Sequence, residues 1–411
     1  MKIAQLTFLD VANYGANLQA ASTYNYLVNH GHDVWAIDYR SYNTIFDKKL
    51  STWKRKLMHQ NPRVQDVAHH EFVSKEIHNK ILGLHTTKQV AEAIIDGNFG
   101  GVIIGSDAVA QHWPWFSTLK LGHKRPFWIE PMQRERRFPN PFWGTGYADR
   151  VPTAMMSVSS QNSRYESFSP ITLHQMSKLL HEMTYISTRD AWTRRMMLKA
   201  APDLQIQVTP DPVFALNQNL GKKIPTEEQI RNKYSLPKEY VLVGLRGQVF
   251  TKAELSELDN YFNSKGQSCV AFDIEGQYAY EHPFKYQIPL PLSPLDWFAL
   301  IKFASAYIGS NMHPIVSSLT NAVPCFSIDN WGIKGKGTEE TKVSSKVYDV
   351  LCQYNLQSYW TSIEKNKCDI SVKKIFDLIQ NFPKEGVREI TVRRIERYNN
   401  MMTTILNNFQ R

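Results

Sequence analysis

The sequence predicts an α/β fold of two doubly wound domains that face each other across a cleft, followed by a long C-terminal helix. Short apolar strands alternate with amphipathic helices from residue 3 to residue 208, and a second alternating series starts at residue 240. Such alternation is typical of parallel sheets with helices on both faces. Residues 217–238, between the two series, are polar and contain Gly221, Pro225 and Pro237, which indicates an interdomain linker.

The first series opens with a βαβ unit, for which a parallel sheet is the natural arrangement. Residues 3–8 are apolar and β-prone, residues 17–29 have helical spacing of apolar side chains, and residues 34–37 form the next strand. The connecting residues 13–17 lack the full G-x-G-x-x-G pattern, so they predict a tight turn and no dinucleotide site. We assign residues 1–216 to the N-terminal domain.

Two stretches of the N-terminal domain depart from this alternation. Residues 41–80 are helical in pattern and basic, and we interpret them as a solvated face because their histidines follow no metal-ligand spacing. Residues 112–148 interleave aromatic residues with arginines. Such a segment suits a sugar site, a membrane surface or stacked bases, and the alternative is an insertion that packs a small core of its own.

Charge and cysteine usage restrict the functional classes. Lys and Arg number 48 against 38 Asp and Glu, which favours anionic substrates or a lipid surface, whereas the spread of the basic residues argues against nucleic acid. The four cysteines are widely spaced, which indicates a reducing compartment and no zinc site. No signal-peptide core and no apolar run of about 18 residues is present. We therefore expect a cytoplasmic protein that can contact the inner face of the cell membrane.

The C-terminal domain, predicted over residues 239–382, contains the stretch that we expect to carry the chemistry. Residues 306–328 form a strand, a turn, a helix and a second strand. Gly309 permits the turn and Pro314 suits the first turn of the helix, so His313 lies where a helix begins at the carboxyl edge of the sheet. Residues 383–411 predict one long helix.

Short motifs recur in order at the ends of the predicted strands. They are residues 13–19 (NYGANLQ), 38–40 (DYR), 105–107 (GSD), 187–190 (STRD), 211–212 (DP), 293–297 (SPLDW) and 309–313 (GSNMH), followed by Pro324. The ordered set resembles the polysaccharide pyruvyl transferase family over roughly residues 1 to 355. The resemblance implies a GT-B-like fold of two Rossmann-like domains. It also implies transfer of pyruvate from phosphoenolpyruvate to a sugar of a bacterial cell-surface or capsular polysaccharide precursor, forming a ketal.

The resemblance further implies roles for individual residues. Arg189 corresponds to the donor-binding arginine of the family, His313 to its cleft histidine, and Lys334 or Lys336 to a lysine that follows. A guanidinium fork suits the carboxylate and phosphate of the donor, and His313 is the candidate for proton transfer. The predicted catalytic residues are thus His313 and Arg189. The predicted donor contacts are Arg189, Ser310, Asn311, Lys334 and Lys336.

The N-terminal domain is expected to bind the acceptor, which is a sugar or a lipid-linked oligosaccharide. Large flat side chains suit sugar faces, which favours two tryptophans of the aromatic segment. The predicted acceptor contacts are Asn13, Tyr14, Asn17, Asp107, Trp115 and Trp143. No metal and no cofactor is expected, because phosphoenolpyruvate is a donor substrate.

Two departures from the family pattern leave alternatives open. Some members carry Arg at the position of Asn311, and many carry Gly at the position of Pro314. A GT-B nucleotide-sugar glycosyltransferase is one alternative, with Glu339 and Glu340 available to hold a ribose. An inactive glycan-binding member of the family is the second alternative.

Overall fold

The computed structural model describes residues 1–57, 64–113, 133–161, 163–274, 276, 278–329, 342–363 and 368–411. These residues form two sheets whose neighbouring strands are all parallel. The first sheet has the strand order β3-β2-β1-β4-β5-β6-β7. Its strands are β1 (Lys2–Leu6), β2 (Asp33–Tyr39), β3 (Lys80–Leu84), β4 (Gly101–Asp107), β5 (Thr153–Val158), β6 (Tyr185–Thr188) and β7 (Gln207–Val208).

Helices connect these strands on both faces of the first sheet. They are α1 (Tyr14–Asn29), α2 (Tyr42–Leu57), α3 (Val64–Glu76), α4 (Thr87–Asp96), α5 (Pro170–His181) and α6 (Ala191–Ala200). Helix α1 begins three positions earlier than predicted, because the side chain of Asn13 accepts a hydrogen bond from the backbone N–H of Ala16 and caps the helix there. The predicted tight turn is therefore the cap and first turn of a helix.

The second sheet has the order β10-β9-β8-β11-β12-β13. Its strands are β8 (Tyr240–Gly244), β9 (Ser268–Ala271), β10 (Tyr286–Gln287), β11 (Ala306–Gly309), β12 (Cys325–Asp329) and β13 (Trp360–Ser362). The remaining helices are α7 (Leu216–Leu220), α8 (Glu227–Tyr234), α9 (Lys252–Asn263), α10 (Pro294–Lys302), α11 (Met312–Thr320), α12 (Lys346–Cys352), α13 (Val372–Gln380) and α14 (Lys384–Asn408).

The long C-terminal helix, α14, is present as predicted and links the two halves of the molecule. Met401 lies against Ser157 and Ser187 of the first sheet, and Asn408 donates a hydrogen bond to the carbonyl of Thr184. On the other side, Thr391 donates to the carbonyl of Leu319 in α11. The helix therefore fixes the position of the second sheet relative to the first.

The hydrophobic core is continuous across the interface between the two halves. One cluster lies on a single face of the first sheet, while the other extends from α1 through the whole second sheet and α14. Helix α1 is buried from Tyr14 to Leu27 because helices of both halves pack on it. The proposed bounds of the domains and of the linker stay predictions.

The aromatic segment is described only from residue 133 onward. Phe142, Trp143 and Tyr147 are fully buried there in the core of the first sheet. This part of the segment thus packs as a structural insertion, which was one of the two predicted alternatives. The four cysteines are free, and among the residues that the structure describes no group of His, Cys, Asp and Glu could hold a metal ion.

Candidate active site

The topology of both sheets points to the same region of the cleft. In the first sheet the strand order reverses between β1 and β4, and in the second it reverses between β8 and β11. Ligands of open α/β sheets bind outside the carboxyl ends of the strands at such switch points. The first switch point is followed by α1 and Asp107, and the second by the turn that leads into α11.

The two switch points touch each other through Gly15 and His313. A Cβ atom on Gly15 would lie 1.9 Å from Cγ of His313, far inside van der Waals contact. Only glycine therefore lets the first turn of α1 approach the first turn of α11 so closely. Two helix N-termini, one from each half of the chain, converge on the imidazole, and the positive ends of their dipoles favour a negatively charged ligand.

Arg189 follows β6 and lies at the base of this region, 2% exposed. Its Nη1 donates a hydrogen bond of 2.9 Å to Oδ2 of Asp211, while Nη2 stands 4.0 Å from Oδ1 of Asp107, too far for a hydrogen bond. Both Nε and Nη2 are buried without a hydrogen-bond partner among the described residues. These two N–H groups form the edge of the guanidinium that binds a carboxylate in bidentate fashion.

His313 is also buried with an unused polar atom. Its Nε2 lies 3.7 Å from Oδ2 of Asp211 and has no hydrogen-bond partner within the described parts of the chain. Burial and the nearby Arg189 and Lys346 lower the pKa of the imidazole to about 3. His313 is therefore neutral at pH 7 when no anion is bound, although the sequence alone suggested a histidine that titrates near neutrality.

Lys346, at the first position of α12, is a site residue that the sequence analysis missed. Burial and the positive charge of Arg189 lower the pKa of its ammonium group to about 8, and three aspartates, Asp107, Asp190 and Asp329, act in the opposite direction. Ser345 caps α12 and donates a hydrogen bond to Asp329, so the start of this helix is fixed. A local signal was available, because a lysine at a helix N-terminus opposes the helix dipole.

The turn that carries the predicted donor contacts Ser310 and Asn311 is anchored to β8. The Ser310 N–H donates to the carbonyl of Gly244, and the Tyr307 hydroxyl donates to the carbonyl of Ser310. Asn311 has φ 75° and ψ 154°, a conformation almost confined to glycine, and its side chain does not cap α11. The first turn of α11 thus keeps backbone N–H groups that no side-chain cap satisfies.

The predicted acceptor contacts Asn13, Tyr14, Asn17 and Asp107 differ in exposure, and each of them takes part in hydrogen bonds within the chain. Asn13 is exposed and Asp107 is partly exposed. The Tyr14 hydroxyl donates to Oδ2 of Asp273, and its ring stacks on Trp297. Asn17 exchanges hydrogen bonds with the backbone of Val11 and contacts His69. Tyr14 and Asn17 therefore stabilise the interface and the loop, and their acceptor roles stay predictions.

The burial of Trp143 counts against its predicted contact with the acceptor. Its side chain is fully buried and packs edge-to-face on Phe138 in the core of the first sheet, so its ring is not available to a sugar. The aromatic composition predicted a flat binding surface, but the hydrophobic effect placed the ring inside. Trp115, Lys334 and Lys336, and Glu339 and Glu340 of the glycosyltransferase alternative, lie outside the described residues.

Comparison with known proteins identifies the family of the chain. The family model described as polysaccharide pyruvyl transferase matches residues 13–332. The chain belongs to this family. Its members are transferases, so the chain is a member of an enzyme family, and the predicted family is confirmed. No curated protein sequence matches the chain.

Solved structures show the fold of this pyruvyl transferase family member. The UDP-GlcNAc 2-epimerase of Neisseria meningitidis is similar over 99% of both chains, with a TM-score of 0.53 and 10% identity. The same epimerase of Methanocaldococcus jannaschii has a TM-score of 0.49 at 11% identity and covers 95% of this chain and 99% of its own. The glycosyltransferase SnogD of Streptomyces nogalater has a TM-score of 0.43 at 12% identity and covers 98% of this chain and 96% of its own.

The likeness to the epimerase of Neisseria meningitidis, together with the two parallel sheets and the long C-terminal helix, confirms the predicted GT-B-like fold class. At 10% identity the likeness to the epimerase shows the fold alone. Within the described part of the chain, no helix has both the length and the apolar character that crossing a bilayer requires.

Proposed function

We propose that this protein transfers pyruvate from phosphoenolpyruvate to two hydroxyl groups of a sugar and forms a pyruvate ketal. The observation that carries the proposal is the buried guanidinium of Arg189, whose Nε and Nη2 lack partners among the described residues. A buried N–H group without a hydrogen-bond partner costs free energy. The carboxylate of phosphoenolpyruvate would accept hydrogen bonds from both N–H groups at once. Family membership supports the same chemistry.

The phosphate of the donor needs a second cationic region, which we assign to Lys346 and the first turn of α11. Lys346 is buried near Arg189, and its burial together with the positive charge of Arg189 lowers its pKa. A ligand with two anionic groups would relieve this repulsion between like charges. Ser310 and Asn311 would contribute through the turn that they form, and Lys334 and Lys336 stay predicted donor contacts.

The reaction requires a proton on the methylene carbon of phosphoenolpyruvate and a new C–O bond at its neighbour. Protonation of that carbon gives a methyl group and an electron-poor C2, to which the first sugar hydroxyl adds. The bond between C2 and the phosphate oxygen then breaks, and the second hydroxyl closes the ketal. One hydroxyl proton replaces the proton given to carbon, and the other leaves with inorganic phosphate, so atoms and charge balance.

His313 is the proposed proton donor to carbon. The imidazole is neutral in the empty site because its burial, reinforced by Arg189 and Lys346, lowers its pKa to about 3. The bound donor brings negative charge between these cations, which raises the pKa of His313 and allows the ring to acquire the proton that it delivers. Lys346 and the first turn of α11 stabilise the departing phosphate, so the proposal assigns no step to a metal or cofactor.

The proposed acceptor is a sugar of a bacterial cell-surface, capsular or extracellular polysaccharide precursor, carried on a lipid at the inner face of the membrane. Asn13 and Asp107 remain the acceptor contacts, because both lie at the first-sheet edge of the cleft and both retain exposure. The carboxylate of Asp107 stands 4.0 Å from Arg189, close enough to accept a hydroxyl proton beside the donor.

Calorimetric titration with phosphoenolpyruvate and, separately, with UDP-sugars tests the proposal. We expect binding of phosphoenolpyruvate, release of inorganic phosphate in the presence of acceptor, and activity that survives EDTA. Binding of a nucleotide sugar without phosphoenolpyruvate would instead identify a glycosyltransferase. A protein that binds neither donor but retains glycan would be an inactive glycan-binding member of the family.

A further inference from the structure

Helix α2 presents an apolar face that the described residues leave exposed. Tyr42, Phe46, Trp53 and Leu57 are each 58–59% exposed. At about 100° per residue these four positions fall within an arc of about 60°, so they form one continuous stripe along the helix. Single exposed apolar residues are normal in proteins, but an aligned row of four marks an interaction surface.

The other described side chains of α2 are half-buried or exposed, and none of them is buried. A helix gains most of its stability from packing one face, so a 16-residue helix with no fully buried side chain among those described is suited to pack on a further surface. Its first turn is nevertheless held in place, because Ser41 and Thr44 donate hydrogen bonds to the carboxylate of Glu135.

Charge identifies the occupant of the apolar face. Lys48 and Lys49 are exposed on α2, and the sequence continues with Lys54, Arg55 and Lys56 in its last turn. An amphipathic helix with aromatic residues on one face and cationic residues around it is the form that binds at an anionic lipid surface. A second copy of this chain is a poor match, because a symmetric contact would place these cations against their own counterparts.

The position of α2 agrees with such a surface. The helix follows β2, and β2 neighbours β1 in the first sheet, so α2 starts at the same carboxyl edge as the first turn of α1. We propose that α2 is a membrane-docking helix that lies in the headgroup region of an anionic bilayer. The sequence alone predicted a solvated face for this helix, and the proposal gives it a membrane contact instead. It specifies the membrane contact named under the proposed function. It rests on that function only for the idea that the acceptor is carried on a lipid.

Sedimentation with vesicles tests this without any substrate. The wild-type protein should bind vesicles of equal parts phosphatidylglycerol and phosphatidylcholine, bind weakly to pure phosphatidylcholine, and lose binding as salt rises. Phe46→Ser combined with Trp53→Ser should weaken binding by about tenfold or more, because two large apolar side chains are lost from the interface. Lys48→Glu with Lys49→Glu should weaken binding to anionic vesicles by a similar factor.

The matched control is Ile171→Ser with Val392→Ser, which removes two apolar residues that are 71% and 55% exposed elsewhere. It should bind vesicles like the wild type. The affinity for phosphoenolpyruvate is measured on every variant. If the protein does not bind phosphoenolpyruvate, the proposed donor substrate is wrong, whereas a failure of vesicle binding alone concerns the role of α2. Equal vesicle binding by the wild type and the Phe46 and Trp53 variant would overturn the proposal. So would a solution dimer, detected by light scattering, that the same variant converts to monomers.

Discussion

Two buried arginines behave differently in this molecule. Arg394 on α14 lies over the ring of Phe214 at 4.6 Å and that of Tyr354 at 5.5 Å, and it donates a hydrogen bond to Gln353. The two aromatic rings pack against its guanidinium, and only its Nε is buried without a hydrogen-bond partner among the described residues. Arg189 has one carboxylate partner, Asp211, and two N–H groups without partners among the described residues. The difference separates an arginine that stabilises packing from one that the fold leaves ready for an anion.

Two buried histidines, His313 and His112, show the same contrast between a site residue and a core residue. Substitution of His313 should give the largest loss of turnover. His313→Gln should keep most of the donor affinity but lower turnover by about a hundredfold or more, as expected on removal of a general acid. His112 is the matched control, since burial also lowers its pKa to about 4 but it lies among Phe138 and Phe168. His112→Gln should leave turnover within a few-fold of wild type. Near-normal turnover in folded His313→Gln would assign the proton transfer to another group.

Lys346 should contribute to the binding of phosphoenolpyruvate and not to the proton transfer. Lys346→Gln should raise the KM for phosphoenolpyruvate by about tenfold, because a charge-assisted contact to the phosphate is lost. Lys302→Gln is the control, since Lys302 bonds Asn217 away from the cleft. The pKa of Lys346 is lowered to about 8, so donor affinity in the wild type should fall as pH rises through that value. A Lys346→Gln protein with the same pH dependence would contradict this role.

Because His313 is held neutral in the cleft, it should make the free energy of unfolding depend on pH. The pKa of His313 is about 3 in the folded state, below the value of about 6.5 in the unfolded chain. Between these values the unfolded chain binds more protons, so stability falls as pH falls. Between about pH 6.5 and pH 5.5, the free energy of unfolding of His313→Gln should fall by about 1 kcal/mol less than that of the wild type, measured by urea unfolding. Parallel pH profiles for the two proteins would show that His313 is not held neutral.

Local patterns predicted most of the fold. Apolar runs and helical spacing located the strands β1 and β2 and the helices α1 and α14 to within a few residues of their observed bounds. The order of strands within each sheet could not be predicted, because it depends on contacts between residues far apart in the sequence. The two switch points, and the meeting of Gly15 with His313 between them, therefore emerge only from the structure.

The candidate site was predicted in part. Arg189, His313, Ser310 and Asn311 come together as the motif order implied, because each follows the carboxyl end of a strand. Trp143 was assigned incorrectly, because aromatic composition does not tell which face of a segment is buried. Lys346 was missed, because its proximity to Arg189 depends on the packing of α12. Its unfavourable place at a helix N-terminus was the single local sign of function.

Titration of phosphoenolpyruvate into the wild type, Arg189→Lys and Arg394→Lys tests the central claim most directly. Lysine keeps the positive charge but lacks the planar edge that binds a carboxylate at two points. The account predicts that Arg189→Lys weakens donor binding by roughly 10- to 100-fold, corresponding to the loss of a hydrogen bond to a charged group. Arg394→Lys should bind the donor like the wild type. A folded Arg189→Lys protein with wild-type affinity, or an equal loss in Arg394→Lys, would contradict the assignment of Arg189 as the donor anchor.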